Sequence, residues 1–318
     1  MIDFAARARS PWLLLAVGFC CWFLMGSDVV GLEPLVWKFT VGETQNYRLV
    51  QKMEMTMNQG SASDVPTTIE QVLDMNWKVE TVQENGNALL TEQFRRLQMD
   101  WNTPGQEGKI HYDTASKDEP QGYAAMLAPK LQTLIASKFQ VTVTPRGQIV
   151  EVKFPAALRE AMDGAHGSAI LGDLASKEGL QNLVQQSFFP LPEADHLAPG
   201  FQWTESFAAE NPTVGKLTTE TTYRYEGPRE KDGLEVFVPT VVVRFDGGAD
   251  STIQVAAQKS SGEILFDRSA GRLESSHVRQ QIDLVITEDK QKVDEKLNQT
   301  VELQHVAAEQ PAAPAGKD

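Results

Sequence analysis

Beyond residue 27 the chain contains no cysteine, because both of its cysteines, Cys20 and Cys21, lie in an N-terminal apolar run. The body therefore has no disulfide, no thiolate nucleophile and no cysteine-ligated metal, and its stability comes from packing and hydrogen bonds. Histidine is scarce too. His111, His166, His196, His277 and His305 are far apart, with no H-E-x-x-H and no pair three or four residues apart. Any zinc site would have to be assembled entirely by the fold. The G-x-S-x-G, G-x-x-x-x-G-K-[ST] and G-x-G-x-x-G patterns are all missing, so the nucleophile elbow and the phosphate-cradling loops have no sequence signal. Basic residues are in deficit: 29 Lys and Arg against 43 Asp and Glu give a net charge of −14 over 318 residues. Removing Arg7, Arg9 and Asp3 with the first 27 residues leaves 27 minus 42, or −15. Such a body repels nucleic acid and anionic lipid surfaces. Its acidic residues are scattered, which reads as a solvated surface rather than an interaction tail.

What is present begins with Arg7 and Arg9, an apolar run from Trp12 to Met25, and then Gly26, Ser27 and Asp28. That is the layout of an export signal, and the run is shorter than the ~20 residues that a membrane-spanning helix needs. Counting Val29, Val30 and Leu32 extends it toward an uncleaved anchor, whereas bulky Phe19 before Cys20 argues against lipidation. The expected location is the periplasm or cell envelope of a bacterium, with membrane contact only through residues 1–27 if they are retained.

Period-two alternation dominates the body. Tyr47, Leu49, Gln51, Met53, Met55 and Met57 share one strand face, and Ile69, Leu73, Met75, Trp77 and Val79 share another. Asn85-Gly86 tolerates the positive φ of a tight I′ turn, so Ala88 to Trp101 is predicted to fold back as the partner strand. Residues 102–118 read as a loop with a short strand near Ile110 to Tyr112. Helical spacing follows near 121–137, placing Tyr123, Met126, Leu127, Leu131, Leu134 and Ile135 together, with Pro129 implying a kink or a restart. Phe139–Thr144 and Gln148–Lys153 form a hairpin about Pro145-Arg146-Gly147. A short helix follows Pro155, and another is expected from Ser176, presenting Leu180, Leu183, Val184 and Phe188.

From Phe201 strands return, punctuated by turns at Gly227-Pro228 to Asp232-Gly233, Asp246-Gly247-Gly248 and Arg268 to Gly271. The expected organisation is an export segment (1–27), an N-terminal β-rich lobe (28–154), a helical insertion (155–196), a C-terminal β-rich lobe (197–306) and a disordered Ala- and Pro-rich tail (307–318). The fold class is mainly β (α+β): an antiparallel curved sheet or half-barrel, shared or split between two lobes, with inserted helices covering one face.

The methionine row reads as core filler rather than a thioether copper site. The aromatics Trp37, Trp77, Trp101, Trp203, Phe188 and Phe189 read first as core and second as the lining of an apolar cavity between sheet and helices. Trp77, Met53, Met55, Leu183 and Phe188 are the candidate lining residues. No catalytic, cofactor-binding or metal-ligating residue is assigned.

Leu35-Val36-Trp37-Lys38-Phe39 with Gly42-Glu43 and Tyr47, the run Phe139 to Val150, and Phe189-Pro190-Leu191-Pro192 through Gly200-Phe201-Gln202-Trp203 resemble successive blocks of an uncharacterised family of exported bacterial envelope proteins. The likeness rests on turns and strand lead-ins, so it implies no activity. The expected function is noncatalytic binding of a lipid or other apolar small molecule. The alternative is a structural or protein-interaction module of the envelope, tethered at the membrane, with edge strands recruiting a protein partner.

Overall fold

A computed structural model describes residues 34–58, 66–103, 109–163, 180, 183–185, 187–194, 197–211, 215–246, 251–288 and 291–307. Its strands are β1 (Thr44–Asn58), β2 (Thr67–Val82), β3 (Ala88–Asn102), β4 (Ile110–Asp113), β5 (Lys138–Val143), β6 (Ile149–Lys153), β7 (Gln202–Asn211), β8 (Gly215–Pro228), β9 (Glu235–Asp246), β10 (Ser251–Asp267), β11 (Arg272–Glu288) and β12 (Gln291–Val306). They form one antiparallel sheet in the order β6-β5-β3-β2-β1-β12-β11-β10-β9-β8-β7, with β4 beside β3. The two β-rich stretches of the sequence are thus one sheet, joined where the first strand pairs with the last. That seam is long, running from Asn46 opposite Val306 to Asn58 opposite Asp294.

Alternation sets the burial. Leu97, Leu73, Leu49 and Leu303 stand opposite one another on four adjacent strands, and all are at most 5% exposed. Intervening residues face solvent and carry ion pairs such as Arg48–Asp74 at 2.6 Å. The chain reverses at Asn85-Gly86, but not through the expected I′ turn: Gly86 N donates to Gln83 O at 2.9 Å, which puts Glu84 and Asn85 at the centre and Gly86, at φ 83, in the fourth position.

The turns between β2 and β3, β5 and β6, β8 and β9, and β10 and β11 gather at one end of the strands, called here the tied end. Residues 35–38 tie two of them together. Trp37 N donates to Pro145 O at 2.8 Å, Lys38 N donates to Gly271 O at 2.9 Å, and Arg146 donates to Leu35 O at 2.8 Å. Gly271 has φ 64, and the Lys38 main chain lies where a Cβ would sit, so this crossing requires glycine. Tyr47 adds another cross-link by donating its hydroxyl to Leu273 O at 2.9 Å.

The helices α1 (Tyr123–Ala136) and α2 (Ala156–Asp163) pack on the N-terminal half. Leu127, Leu131 and Leu134 of α1 are buried. Two expectations change here. Pro129 lies inside one continuous helix rather than ending it, and Met126 is 71% exposed rather than on the buried face. The helix expected from Ser176 begins outside the described residues. Leu180 and Leu183 to Gln185 are helical, and Phe188 follows in a turn. Residues 1–27, read from the sequence as an export signal, and the tail from residue 308 also lie outside them, and no described helix is long and apolar enough to cross a membrane.

Two apolar clusters result. The larger fills the tied end, where Trp37 meets Trp77, Phe188 and Phe266 edge-on at 5.4–6.3 Å, and Phe189 meets Tyr223 and Phe237. The smaller lies in the distal part of the C-terminal half: Val243, Ile282 and Leu284, bordered by Leu217, Val241, Phe245, Ile253, Val255, Ile286 and Leu297. Between β9 and β10 backbone pairing covers only residues 235–237 opposite 264–266. Farther along, side chains stitch the two strands. Val241 N donates to Ser260 Oγ at 2.8 Å, while Gln258 accepts from Val243 N at 2.8 Å and donates to Val243 O at 3.1 Å.

Candidate functional site

A groove of about 740 Å³ crosses seven strands. It follows one registered line, from Ile110 through Trp101, Ile69, Met53, Gln299 and Gln280 to Ser260. On almost every strand its lining is that residue and its two immediate neighbours, whereas Gln51, Met55, Gln71, Leu297 and Ile282, two positions away on the core-facing side, take no part. Successive side chains point to opposite faces. The groove therefore opens on the face opposite the core, where the line contributes its main chain and the flanking residues contribute their side chains.

Those side chains form two polar rows. One is Ser261, Arg279, Thr300, Lys52, Glu70 and Asp100; the other is Lys259, Gln281, Asn298, Glu54, Thr68 and Asn102. Lys52 pairs with Glu70 at 2.9 Å, and Asp100 meets His111 Nδ1 at 2.6 Å. Lys259 and Arg279 make no ion pair with any described residue. Among the described residues no three His, Cys, Asp or Glu side chains cluster as metal ligands.

Of the candidates read from the sequence, Met53 lines this groove and the other four do not. Trp77 is 1% exposed and stacks on Tyr47 at 4.4 Å and on Phe188 at 4.7 Å; Phe188 and Leu183 are buried in the same cluster. Among the described residues, Trp77, Leu183 and Phe188 are therefore part of a packed cluster of interlocking rings. Met53 supplies main chain to the groove floor, and Met55, half-buried, faces the core side opposite Leu297. The structure unites Trp77 with Phe188 and Met53 with Met55, but does not gather all five about one cavity.

One buried group escaped the sequence reading. Glu92 is fully buried, stands opposite Trp77 and Phe139, and neither carboxyl oxygen has a hydrogen-bond partner. Burial pushes its carboxyl up to about 8 from 4.5. The signal was the alternation Leu90-x-Glu92-x-Phe94, which puts a carboxyl on an apolar face.

Comparison with known proteins adds a family. Residues 85–231 match DUF6263, a family of unknown function. The match starts in the β2–β3 turn and ends in the β8–β9 turn, taking in the Phe139–Val150 and Phe189–Trp203 blocks, in agreement with the resemblance to a family without assigned function. No curated protein matches the chain.

Among solved structures, lipovitellin aligns with 88% of this chain at 12% identity and a TM-score of 0.45, and this chain spans 26% of lipovitellin's length. DynF from the dynemicin biosynthesis pathway of Micromonospora chersina aligns over 86% of each chain at 7% identity and a TM-score of 0.25. An outer membrane channel of Pseudomonas putida F1 aligns over 88% of this chain and 99% of its own, at 8% identity and a TM-score of 0.21. At such identities and scores these likenesses assign no site to this chain.

Proposed function

We propose that this chain is a noncatalytic binding protein exported to the bacterial cell envelope, and that its ligand lies across the strands in the polar groove. The groove itself carries the reading. Its volume falls within the range of small-molecule sites, roughly 300–1,000 Å³, and its walls present paired hydrogen-bonding and charged side chains on a many-stranded platform. The Arg7, Arg9 and Trp12–Met25 layout supports export.

A second reading keeps the lipid or apolar ligand but moves it to the core-facing side of the distal strands. Met55, Leu297, Ile286, Ile253 and Phe245 are only half-buried there, beside Val243, Ile282 and Leu284. Native mass spectrometry after gentle extraction separates the two. A co-purifying molecule lost on Thr300→Trp, which obstructs the groove, supports the first reading. One lost on Ile286→Trp but retained by Thr300→Trp supports the second. Loss in neither variant, or no bound molecule at all, ends both. The N-terminal mass of the mature protein tests export.

A further inference from the structure

We propose that the β10–β12 end of the groove binds an anionic group: a phosphate, sulfate or carboxylate. This rests on the groove being the binding site and adds the chemistry of one end of the ligand. The two halves of the groove differ in charge. Over β1–β3 the polar rows hold Glu54, Glu70 and Asp100 with Lys52; over β10–β12 they hold Lys259 and Arg279 and no carboxylate.

Register puts these two cations side by side. Lys259 is opposite Gln281 and Arg279 is opposite Ser261, so Lys259 and Arg279 are diagonal neighbours on one face, a spacing of ~7–8 Å between residues. Like charges at that spacing repel unless an anion lies between them. In a chain of net charge −14, such a pair with no salt bridge to a described acid is out of keeping with its surroundings. Three acids stand diagonally beyond the pair on the same face, and none lies between the two cations. Glu263 and Glu302, on either side of Arg279, pair with Arg229 at 3.5 Å and His277 at 3.0 Å, and Asp283, diagonal to Lys259, makes no ion pair with a described residue.

Neutral partners complete the set. Ser261, Thr300, Gln281 and Asn298 surround the two cations on the same face, offering hydroxyl and amide donors to oxygens that the guanidinium and ammonium hold. Arg279 suits a two-oxygen grip and Lys259 a point contact. The general repulsion of anions by the acidic body is thus reversed at one place, where a single anionic group is selected rather than a charged surface.

The test is titration calorimetry of the full chain at low salt with decyl phosphate and with inorganic phosphate. The double substitution Lys259→Gln/Arg279→Gln is compared with Lys117→Gln/Lys231→Gln, two exposed lysines away from the groove that make the same change in net charge. The expected result is at least tenfold weaker binding in the groove variant and less than twofold in the control. Decyl phosphate binding more tightly than inorganic phosphate assigns the site to the head group of an amphiphile, and equal affinities assign it to a free anion. Absence of millimolar binding by both probes, or equal losses in the two double variants, would overturn the proposal. Decyl maltoside bound in a manner that Thr300→Trp abolishes, with phosphate probes not bound, would leave the groove reading standing and remove only the anionic assignment.

Discussion

At the tied end, Trp37, Trp77, Phe188 and Phe266 interlock around main-chain crossings from Trp37 to Pro145 and from Lys38 to Gly271. In the distal part of the C-terminal half, three aliphatic residues form the buried centre, their apolar neighbours are half-exposed, and β9 is held to β10 by Ser260 and Gln258 rather than by a backbone ladder. Both regions use the same two-residue alternation. What differs is the closure: one region is sealed by segments distant in sequence, and the other is a sheet face that the described residues cover only in part. Strong packing and cross-chain ties make a rigid base, while a stitched seam opens at lower cost.

The sharpest way to break this contrast is to empty the tied end. Trp77→Ala should cost about 4 kcal/mol, because a large buried ring in contact with Tyr47, Trp37 and Phe188 leaves a void that the ties prevent from closing. Denaturant unfolding measures it. A loss below about 1 kcal/mol would mean that the region is as yielding as the distal one.

Next in size is proton linkage. Each region has a buried carboxyl on its core-facing side, Glu92 at the tied end and Glu295 in the distal half, and burial raises both. Between 4.5 and about 8 the folded chain keeps on Glu92 a proton that the unfolded chain has released. Its contribution is therefore most favourable below that window and is lost as pH rises through it, at about 1.4 kcal/mol per pH unit. Glu92→Gln should flatten the pH dependence of unfolding across this range more than Glu295→Gln does; equal effects would erase the distinction between the regions.

The seam gives a smaller effect. Gln258→Ala leaves the buried Val243 without its side-chain acceptor and donor, which should cost about 1.5 kcal/mol and speed amide exchange at Val243 far more than at Leu97. Unchanged exchange there would show that the stitching is dispensable. The smallest effect belongs to the solvent face: a double-mutant cycle on Arg48 and Asp74 should return about 0.5 kcal/mol and fade with salt, since the arginine is nearly half exposed.

Much of the fold was legible because strand geometry is local. Tyr47 and Leu49 announce their common face through spacing alone, and Asn85-Gly86 marks its own reversal. Helix α1 was legible for the same reason, although Met126 shows that the three-and-four spacing fixes a helix more securely than the edges of its buried stripe. The groove was not legible. Lys52 reads as one exposed residue of an alternating strand, and nothing near it in sequence says that Thr300 stands beside it with Arg279 one strand farther on. Trp77 and Phe188 read in the sequence only as large apolar residues, and how tightly their rings pack depends on side chains arriving from Trp37 and Phe266.

The sequence by itself determined the strands, their faces, the glycine turns, the acidic charge and the thiol-free body, because each follows from steps of one to four residues or from composition. Only the tertiary structure decided that β1 pairs with β12, that both halves share one sheet, that Glu92 is left unpartnered opposite Trp77 and Phe139, and that Lys259 and Arg279 stand on one face of a polar groove. Those outcomes depend on register between segments as much as 260 residues apart, Asn46 and Val306, which is set by the total burial and hydrogen bonding of the whole sheet rather than by any local preference.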